Sequence, residues 1–250
     1  VNTCTVTSIA DKQSKQMFRR AKRLNPSSMV IAMGCSSKFY LEDVLKHLSK
    51  NLEIDFENNH QNLWDKPQSR ARAFLKIQDG CDNSCSYCIV PQVRGKSKSV
   101  SQDEVISSCE KLSRHHNEIV LTGIDISQYG KDLAIYDLLE KLVRIDGIPR
   151  IRLSSISPLV VSERLVNLIK NENICRHVHL SIQSCSDEIL SQMNRKYLST
   201  DILRAVSMLT DNIDGIAITG DTIAGFPGET DLHHRETAAF LSNLPMVGLH

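Results

Sequence analysis

Residues 73–88 read AFLKIQDGCDNSCSYC, and this stretch decides how the rest of the chain is interpreted. Its first six residues are mostly apolar and are followed by turn residues, a pattern typical of a buried strand leading into a loop. The loop carries Cys81, Cys85 and Cys88 within eight residues. Three thiolates at this spacing can bind three irons of a cubane [4Fe–4S] cluster and leave the fourth iron without a protein ligand.

An iron without a protein ligand can be chelated by a small molecule. S-adenosylmethionine (SAM) has an amino group and a carboxylate suited to this, and one electron from the cluster then cleaves its sulfonium to give a 5′-deoxyadenosyl radical. Two other interpretations remain open from the residues alone. The loop could be a structural zinc site, although such sites usually have four ligands with paired two-residue gaps, or its cysteines could be ordinary core residues.

Strand-like and helix-like segments alternate from residue 71 to the end of the chain, where a sixth unit begins after five complete ones. This alternation of strands and helices, with short connections, predicts an α/β fold with parallel strands, in a barrel or a doubly wound sheet. The predicted strands are 73–78, 118–121, 150–154, 178–182, 215–218 and 246–250, and the predicted helices are 102–113, 135–145, 162–170, 187–193, 201–210 and 229–244.

Residues 1–58 predict a smaller α/β domain ahead of the barrel. Its predicted elements are a strand over 1–4, a helix over 11–24, a strand over 29–33 and a helix over 41–48. Residues 59–70 are polar, contain Pro67 and predict a linker to a barrel over 71–250. The chain opens at Val1 inside an apolar-then-turn pattern, so we expect further residues before it.

The composition is that of an ordinary globular protein, with 41% hydrophobic and 24% charged residues in a chain of 250. A net charge of +1 does not by itself indicate a nucleic-acid partner. No stretch approaches the roughly 18–20 consecutive apolar residues of a membrane span, and no signal-peptide pattern opens the chain. Eight cysteines without a secretory signal indicate thiolate ligands in a reducing compartment, so we expect a cytoplasmic protein with no membrane partner.

Several short sequence motifs along the chain occur in the same order in one known family. They are NTCTVT at 2–7, KIQDGC at 76–81, LTGI at 121–124, RLSSI at 152–156 and GFPGET at 225–230. Together with the CxxxCxxC loop and its aromatic Tyr87, they resemble the radical SAM methylthiotransferases over essentially the whole chain. The first three motifs are most similar to the members that act on N6-threonylcarbamoyladenosine in tRNA.

This resemblance implies a partial (β/α)6 radical SAM barrel and a tRNA-modifying reaction. The C2–H bond of the modified adenosine beside the anticodon would be replaced by C–SCH3, with one SAM as radical source and a second as methyl donor. The implied partners are the tRNA anticodon stem-loop and a reducing electron donor of the flavodoxin or ferredoxin type. The nearest alternatives are members acting on isopentenyladenosine or on a ribosomal protein, and the alternative from another class is a non-enzymatic zinc or iron–sulfur binding module.

The family also carries a second [4Fe–4S] cluster, held by three cysteines of the N-terminal domain. Cys4 and Cys35 match two of these ligands, and the resemblance places the third upstream of Val1. From the residues alone, both could equally be small buried side chains at the ends of strands. The resemblance further implies that the end of the barrel and a C-terminal RNA-binding domain lie beyond His250.

Contacts to SAM are implied in the loops that follow the strands. The residues concerned are Tyr87, Gly123, Ser155, Gln183, Gly225 and Glu229. A glycine after a strand lets backbone amides approach a carboxylate, but Gly123 could equally be an ordinary turn glycine. Glu229 could equally be a favourable acid in the first turn of the helix predicted over 229–244. Arg195 matches a family motif near the substrate side of the site. Alternatively, it is a solvated loop residue.

Some positions depart from the family pattern. Gln92 stands where tyrosine is usual, and Cys185 stands where glycine is usual. Cys185 is interpreted as incidental, although an extra thiol near the cavity could disturb cluster loading. Cys109 and Cys175 are predicted packing residues. The pairs His115–His116 and His233–His234 do not make natural metal clamps, because adjacent residues on a helix point in different directions. Both pairs are predicted to lie at the surface.

A basic stripe is predicted near the start of the chain. Lys12, Lys15, Arg19 and Arg23 recur at three- and four-residue spacing, which places them on one side of a helix. The stripe could be a solvated face, or it could contact RNA phosphates, since basic stripes bind the RNA backbone without reading sequence. Given the tRNA-modifying resemblance, we expect these residues and Arg94, just past the cysteine loop, to bind RNA.

Overall fold

The computed structural model of the protein describes residues 2–3, 7–27, 30, 33–34, 71–130 and 134–250. The chain divides into two compact units, Val1–Leu63 with Cys88–Gly95 and Trp64–Tyr87 with Lys96–His250. The predicted helix over 41–48 and the predicted linker over 59–70 lie outside the described residues. The predicted domain boundaries therefore stay a prediction.

In the first unit, strand β1 (Asn2–Thr3) pairs in parallel with β2 (Met33–Gly34), and helix α1 (Ser8–Leu24) comes between them in the chain. The helix begins after Thr7, whose hydroxyl accepts a hydrogen bond from the amide of Ala10 at 3.1 Å. This cap satisfies an amide of the first turn, which explains why the helix starts before the predicted residue 11. A short helix, α2 (Val90–Val93), also belongs to this unit.

The second unit is built on parallel strands. In chain order its strands are β3 (Arg72–Lys76), β4 (Gln78–Asp79), β5 (Lys98–Ser99), β6 (Glu118–Thr122), β7 (Arg150–Leu153), β8 (His177–Gln183), β9 (Ala217–Thr222) and β10 (Gly248–Leu249). β3, β6 and β7 form one parallel sheet, and β8, β9 and β10 form another. Parallel bridges from Ile151 to Ile174 and from Ile156 to Leu180 join the two sheets. β4 and β5 pair antiparallel on either side of the cysteine loop in the chain.

Helices alternate with the parallel strands and confirm the predicted α/β class. They are α3 (Gln102–Ser113), α4 (Ala134–Leu142), α5 (Glu163–Ile169), α6 (Asp187–Gln192), α7 (Ser199–Thr210) and α8 (Asp231–Ser242). The side chains of Ser101, Ser162 and Thr230 accept backbone hydrogen bonds at the starts of α3, α5 and α8. Among the helices of the described residues, none is both long and apolar enough to cross a membrane.

The strands of the second unit separate apolar from polar side chains. In β8, Val178, Leu180 and Ile182 are buried, and they belong to one core with the apolar sides of the helices. His177 and His179 alternate with them, are half-buried, and both hydrogen-bond to Thr219 Oγ1 on β9. The polar side of the strands therefore remains available for chemistry.

Candidate active site

Gln78 organises the start of the cysteine loop. Its side chain is buried, and its Nε2 donates hydrogen bonds to the carbonyl of Gly80 at 2.7 Å and to Ser97 Oγ at 2.9 Å. Its Oε1 accepts a hydrogen bond from the backbone N–H of Asp125 at 3.0 Å. One side chain thus ties the loop after β4 to the loop after β6.

Nitrogen donors point at two sulfurs of the loop. Gln128 Nε2 lies 3.3 Å from Cys81 Sγ, and the backbone nitrogen of Asn83 lies 3.4 Å from the same atom. Arg195 Nη1 lies 3.1 Å from Cys85 Sγ. N–H donors and a guanidinium complement the negative charge of thiolates that bind iron.

Residues 192–197, here called the clamp segment, are hydrogen-bonded to the cysteine loop. Asn194 Nδ2 donates to the carbonyl of Ser84 at 2.9 Å and to its hydroxyl at 2.8 Å. Ser86 donates from its backbone N–H and its hydroxyl to two carbonyls of the segment, at 3.1 and 2.8 Å. Asn194 has a φ of 57°, in the left-handed region that asparagine adopts more readily than most residues. The segment that follows α6 therefore holds a loop that follows β4.

Arg195 is held between Cys85 and Tyr197. Its Nε donates to the Tyr197 hydroxyl at 2.9 Å, and its guanidinium carbon lies 4.8 Å from the centroid of that ring. Burial alone would lower the pKa of Arg195, but Tyr197 and Cys85 raise it above its ordinary value. Burial raises the pKa of Tyr197, so Tyr197 stays protonated and acts on the charged Arg195 through its hydroxyl and ring.

Polar groups from several loops surround a cavity of about 160 Å³ next to Cys85. Its lining includes Asp125, Ser127, Ser157 and Arg195. These residues follow β6, β7 and β8 in the chain, as expected for a parallel barrel whose active site lies beyond the carboxyl ends of its strands. This cavity and the sulfurs beside it form the candidate active site.

Comparison with known proteins identifies the family of the chain. A family model described as the radical SAM superfamily matches residues 75–241, and one described as uncharacterized protein family UPF0004 matches residues 1–54. The threonylcarbamoyladenosine tRNA methylthiotransferase MtaB of Aquifex aeolicus is 33% identical over the whole chain, which covers 69% of that protein. This chain belongs to the radical SAM methylthiotransferase family.

Relatives with two different names match this methylthiotransferase chain. The threonylcarbamoyladenosine tRNA methylthiotransferase MtaB of Bacillus subtilis is 33% identical over the whole chain, which covers 63% of that protein. The tRNA-2-methylthio-N(6)-dimethylallyladenosine synthase of Caldicellulosiruptor saccharolyticus is 45% identical over 66% of the chain and 36% of that protein. The chain spans about two thirds of the length of its MtaB relatives.

Solved radical SAM structures share the fold. The cobalamin-dependent radical enzyme OxsB, with aqua-cobalamin and SAM bound, has a TM-score of 0.63 at 12% identity, over 96% of this chain and 42% of that one. Coproporphyrinogen III oxidase (HemN) from Escherichia coli has a TM-score of 0.54 at 14% identity, over 78% and 48% of the two chains. At these identities the likeness establishes the fold alone.

Membership of the radical SAM superfamily implies a [4Fe–4S] cluster and SAM. The donor set fits such a cluster, because Cys81, Cys85 and Cys88 are not joined in disulfides and nitrogen donors point at the first two. As they are placed, no three His, Cys, Asp or Glu side chains of the described residues are grouped closely enough to hold a metal ion. The fit therefore depends on donor chemistry and chain spacing. Cys4 and Cys35, the predicted ligands of a second cluster, lie outside the described residues.

Gly123 has a structural reason to be glycine. A Cβ atom there would lie 2.8 Å from Gln78 Oε1 and 2.9 Å from Ile126 Cγ2. Nearby, Ser155 is half-buried, and the neighbouring Ser154 Oγ is buried without a hydrogen-bond partner among the described residues. The predicted SAM contacts of Gly123 and Ser155 stay predictions.

Two other predicted contacts have clear backbone or ring geometry. Gln183 lies in the left-handed region with a φ of 67°, and its carbonyl accepts a hydrogen bond from the amide of Ile223 at 2.8 Å. The exposed ring of Tyr87 meets Phe226 edge to face, with 6.4 Å between ring centroids. Phe226 belongs to the GFPGET motif, so the cysteine loop and this motif are in contact. The roles of Gln183 and Tyr87 toward SAM stay predictions.

Glu229 shapes the GFPGET turn. Its side chain is 5% exposed, and its Oε2 accepts hydrogen bonds from the backbone N–H of Gly225 and from that of Phe226, the latter at 3.2 Å. The interpretation of Glu229 as a first-turn acid is wrong, because Thr230 caps α8 after it. Gly225 has a φ of 75°, which favours glycine. Glu229 also lines a second cavity, of about 550 Å³.

The other cysteines of the described residues are packing residues. Cys109 and Cys175 are buried, as predicted. Cys185 is also buried, and its backbone N–H donates to Thr237 Oγ1 at 3.1 Å. Burial, with Asp187 nearby, raises the pKa of Cys185 to about 12. Cys185 is therefore a protonated thiol in the interior at neutral pH. Its effect on cluster loading stays a prediction.

The histidine pairs divide between surface and interior. His115 and His234 are exposed, as predicted, and His233 contacts Glu188 at 3.2 Å. The surface prediction is wrong for His116, which is buried. It follows the turn that leads from α3 into the buried strand β6.

The basic stripe lies on α1, as predicted. Lys12, Arg19 and Arg23 are exposed, whereas Lys15 is half-buried and forms an ion pair with Asp11 at 2.9 Å. Arg94 follows α2 and is half-buried. RNA binding by these residues stays a prediction.

Sequence reasoning named Arg195 as a candidate near the substrate, but it did not identify Gln128 or the contacts of Asn194 as parts of the site. Gln128 lies in the GIDISQYG stretch after β6, but nothing in that stretch distinguishes a sulfur-directed amide from a solvated one. Asn194 and Ser84 are 110 positions apart, so their pairing leaves no local pattern.

Proposed function

We propose that this chain is the larger part of a tRNA methylthiotransferase that converts N6-threonylcarbamoyladenosine, next to the anticodon, into its 2-methylthio derivative. The observation that carries the proposal is that three relatives with this named activity match over the whole chain at 29–33% identity. The proposed arrangement is a methylthiotransferase domain over 1–58, a linker over 59–70 and a radical SAM barrel over 71–250.

Cys81, Cys85 and Cys88 are the proposed ligands of the first [4Fe–4S] cluster. When bound, the cluster supplies the single electron that cleaves SAM. Gln128 and Arg195 orient the loop by donating hydrogen bonds to Cys81 Sγ and Cys85 Sγ. The proposed SAM-binding residues lie in loops and turns that follow strands, where backbone groups are exposed to a ligand. They are Tyr87, Gly123, Ser155, Gln183, Gly225 and Glu229.

The second cluster is proposed at Cys4 and Cys35, with one further ligand outside this chain. The match of the UPF0004 model to residues 1–54 supports a family-specific function for this region. The proposed partners are the tRNA anticodon stem-loop, contacted by the basic stripe on α1, and a flavodoxin- or ferredoxin-like reductant. A tRNA-modifying role would place the protein in the cytoplasm.

A second candidate substrate is the dimethylallyl-type adenosine. It is favoured by the 45% identity to the Caldicellulosiruptor synthase, which exceeds that of the MtaB relatives but extends over only 66% of the chain. Coverage of the whole chain, including the N-terminal region, favours the threonylcarbamoyl substrate.

Nucleoside mass spectrometry separates these candidates. The encoding gene is deleted, tRNA is digested, and the strain is complemented with the gene or with its Cys85→Ala variant. We expect loss of 2-methylthio-N6-threonylcarbamoyladenosine, restored by the gene and not by the variant. Loss of the dimethylallyl derivative instead would assign the second substrate. Zinc instead of iron in anaerobically reconstituted protein would overturn the enzyme assignment.

A further inference from the structure

The contact between Arg195 and Cys85 places the permanent positive charge of a guanidinium beside a sulfur of the site. Arg195 Nη1 lies 3.1 Å from Cys85 Sγ. A guanidinium cannot be deprotonated in proteins, so its charge persists at every physiological pH. Cys85 is half-buried and lines the small cavity together with Arg195, which limits screening of the charge by water.

The position of this charge is fixed by several contacts. The Tyr197 hydroxyl accepts a hydrogen bond from Arg195 Nε at 2.9 Å, and the Tyr197 ring lies against the guanidinium. Tyr197 is itself 3% exposed and anchored to the carbonyl of Ile182 at 3.0 Å. The backbone N–H of Arg195 donates to the carbonyl of Leu190 at 2.9 Å. The guanidinium is therefore preorganised against the sulfur rather than free in solvent.

We propose that Arg195 is a positioning residue that raises the reduction potential of the cluster held by Cys81, Cys85 and Cys88. This inference rests on the proposed function, because it requires that loop to bind a cluster. Reduction adds one electron, supplied by a chemical reductant or the electron donor. A fixed positive charge and an N–H donor at a ligand sulfur stabilise the more negative, reduced cluster more than the oxidised one.

A redox titration of the reconstituted full chain tests this inference without SAM or tRNA. Dithionite is added in steps at controlled potential, and the reduced cluster is counted by electron paramagnetic resonance. We expect Arg195→Gln to lower the ratio of reduced to oxidised cluster at fixed potential about tenfold, or about 59 mV for a one-electron couple. Arg195→Lys keeps the charge but not the fork of donors, so a smaller shift is expected.

Arg204→Gln is the matched control. Arg204 belongs to the same compact unit and donates to the carbonyls of Val161 at 3.0 Å and Pro158 at 3.5 Å, both of which lie outside the cysteine loop. We expect its potential to equal that of the unmodified protein. Tyr197→Phe retains the charge and ring but removes the hydroxyl anchor, and its potential should lie between those of the unmodified protein and Arg195→Gln.

Iron content separates failure of this inference from failure of the proposed function. Unmodified protein that binds no [4Fe–4S] cluster at the three cysteines would overturn both. A fully loaded Arg195→Gln variant with unchanged potential would overturn the inference alone, as would an equal shift in Arg204→Gln. If Arg195→Gln loads poorly, Arg195→Met, which also removes the charge, decides by the same criterion, since a lower potential supports the inference and an unchanged one overturns it.

Discussion

At the scale of single residues, Glu118 joins three neighbouring strands at their amino ends. Its carboxylate is 3% exposed and contacts Arg72 on β3 at 3.0 Å, Arg150 on β7 at 2.9 Å and Arg152 on β7 at 2.7 Å. Strand register places Arg72 and Arg150 directly opposite Glu118. The buried acid thus offsets three positive charges that would otherwise repel one another.

Glu118→Gln should destabilise the protein by about 2 kcal/mol at pH 7, below the usual cost of breaking a buried ion pair because Arg72 and Arg150 are more than half exposed. Urea unfolding measures this free energy of unfolding. Glu110→Gln, an exposed position on α3, is the control and should change it by less than about 0.5 kcal/mol.

The same carboxylate makes stability depend on pH. Burial alone would raise the pKa of Glu118, but Arg152, with Arg150 and Arg72, holds it below its ordinary value. Because the folded pKa is lower than the unfolded value of about 4.3, the stabilisation is complete above that pH and is lost as pH falls through the folded pKa. The fall in unfolding free energy between neutral and acidic pH should be smaller in Glu118→Gln than in the unmodified protein. Identical dependence of this free energy on pH in the two proteins would contradict this role.

At the scale of elements, Gly123 allows the turn after β6 to pass close to β4. Gly123→Ala would push a methyl group into Gln78 and Ile126, which are buried and cannot move away freely. We expect a loss of about 1–3 kcal/mol in unfolding free energy, together with poorer iron loading, because Gln78 also orders the cysteine loop. Gly248→Ala is the control, since its added Cβ meets only Thr219 Cγ2, at 3.6 Å. Equal effects of the two substitutions would contradict this account.

The exposed face of α1 provides a test of RNA contact. Replacing Arg19 and Arg23 together by alanine should weaken tRNA binding about tenfold and reduce the salt slope of binding by about 2, as expected for two lost phosphate contacts. Filter binding at several salt concentrations measures both. The double replacement of exposed Lys111 and Arg114 by alanine controls for a general loss of charge. A similar loss in both variants would indicate non-specific attraction only.

Elements with a local signal were predictable, and contacts between distant parts of the chain were not. The strand before the cysteines and helix α3 follow from the pattern of apolar residues, which is a local feature. Glu229 was misassigned because a capping threonine directly follows it. The cysteines of the candidate site were predictable from spacing. The sequence does not decide between the two interpretations of Arg195, because its sulfur contact joins loops 110 positions apart.

At the scale of the whole molecule, this long-range contact predicts how iron affects distant backbone. The clamp segment contains no cysteine, yet Asn194 and Arg195 bind Ser84 and Cys85 of the loop. Removing iron from reconstituted protein with a chelator should therefore speed amide hydrogen exchange in both 81–86 and 192–197, while α3 stays unchanged.

Asn194→Gly supplies the decisive comparison for that exchange measurement. Glycine tolerates the φ of 57° at this position but removes both hydrogen bonds to Ser84. In this variant, iron should still slow exchange in the cysteine loop. Its effect on residues 192–197 should shrink severalfold, because the two hydrogen bonds to Ser84 are lost while those of Ser86 and Arg195 remain. Protection confined to the cysteine loop in the unmodified protein would show that the clamp segment does not respond to the cluster. An unchanged response in Asn194→Gly would show that the coupling does not pass through Asn194.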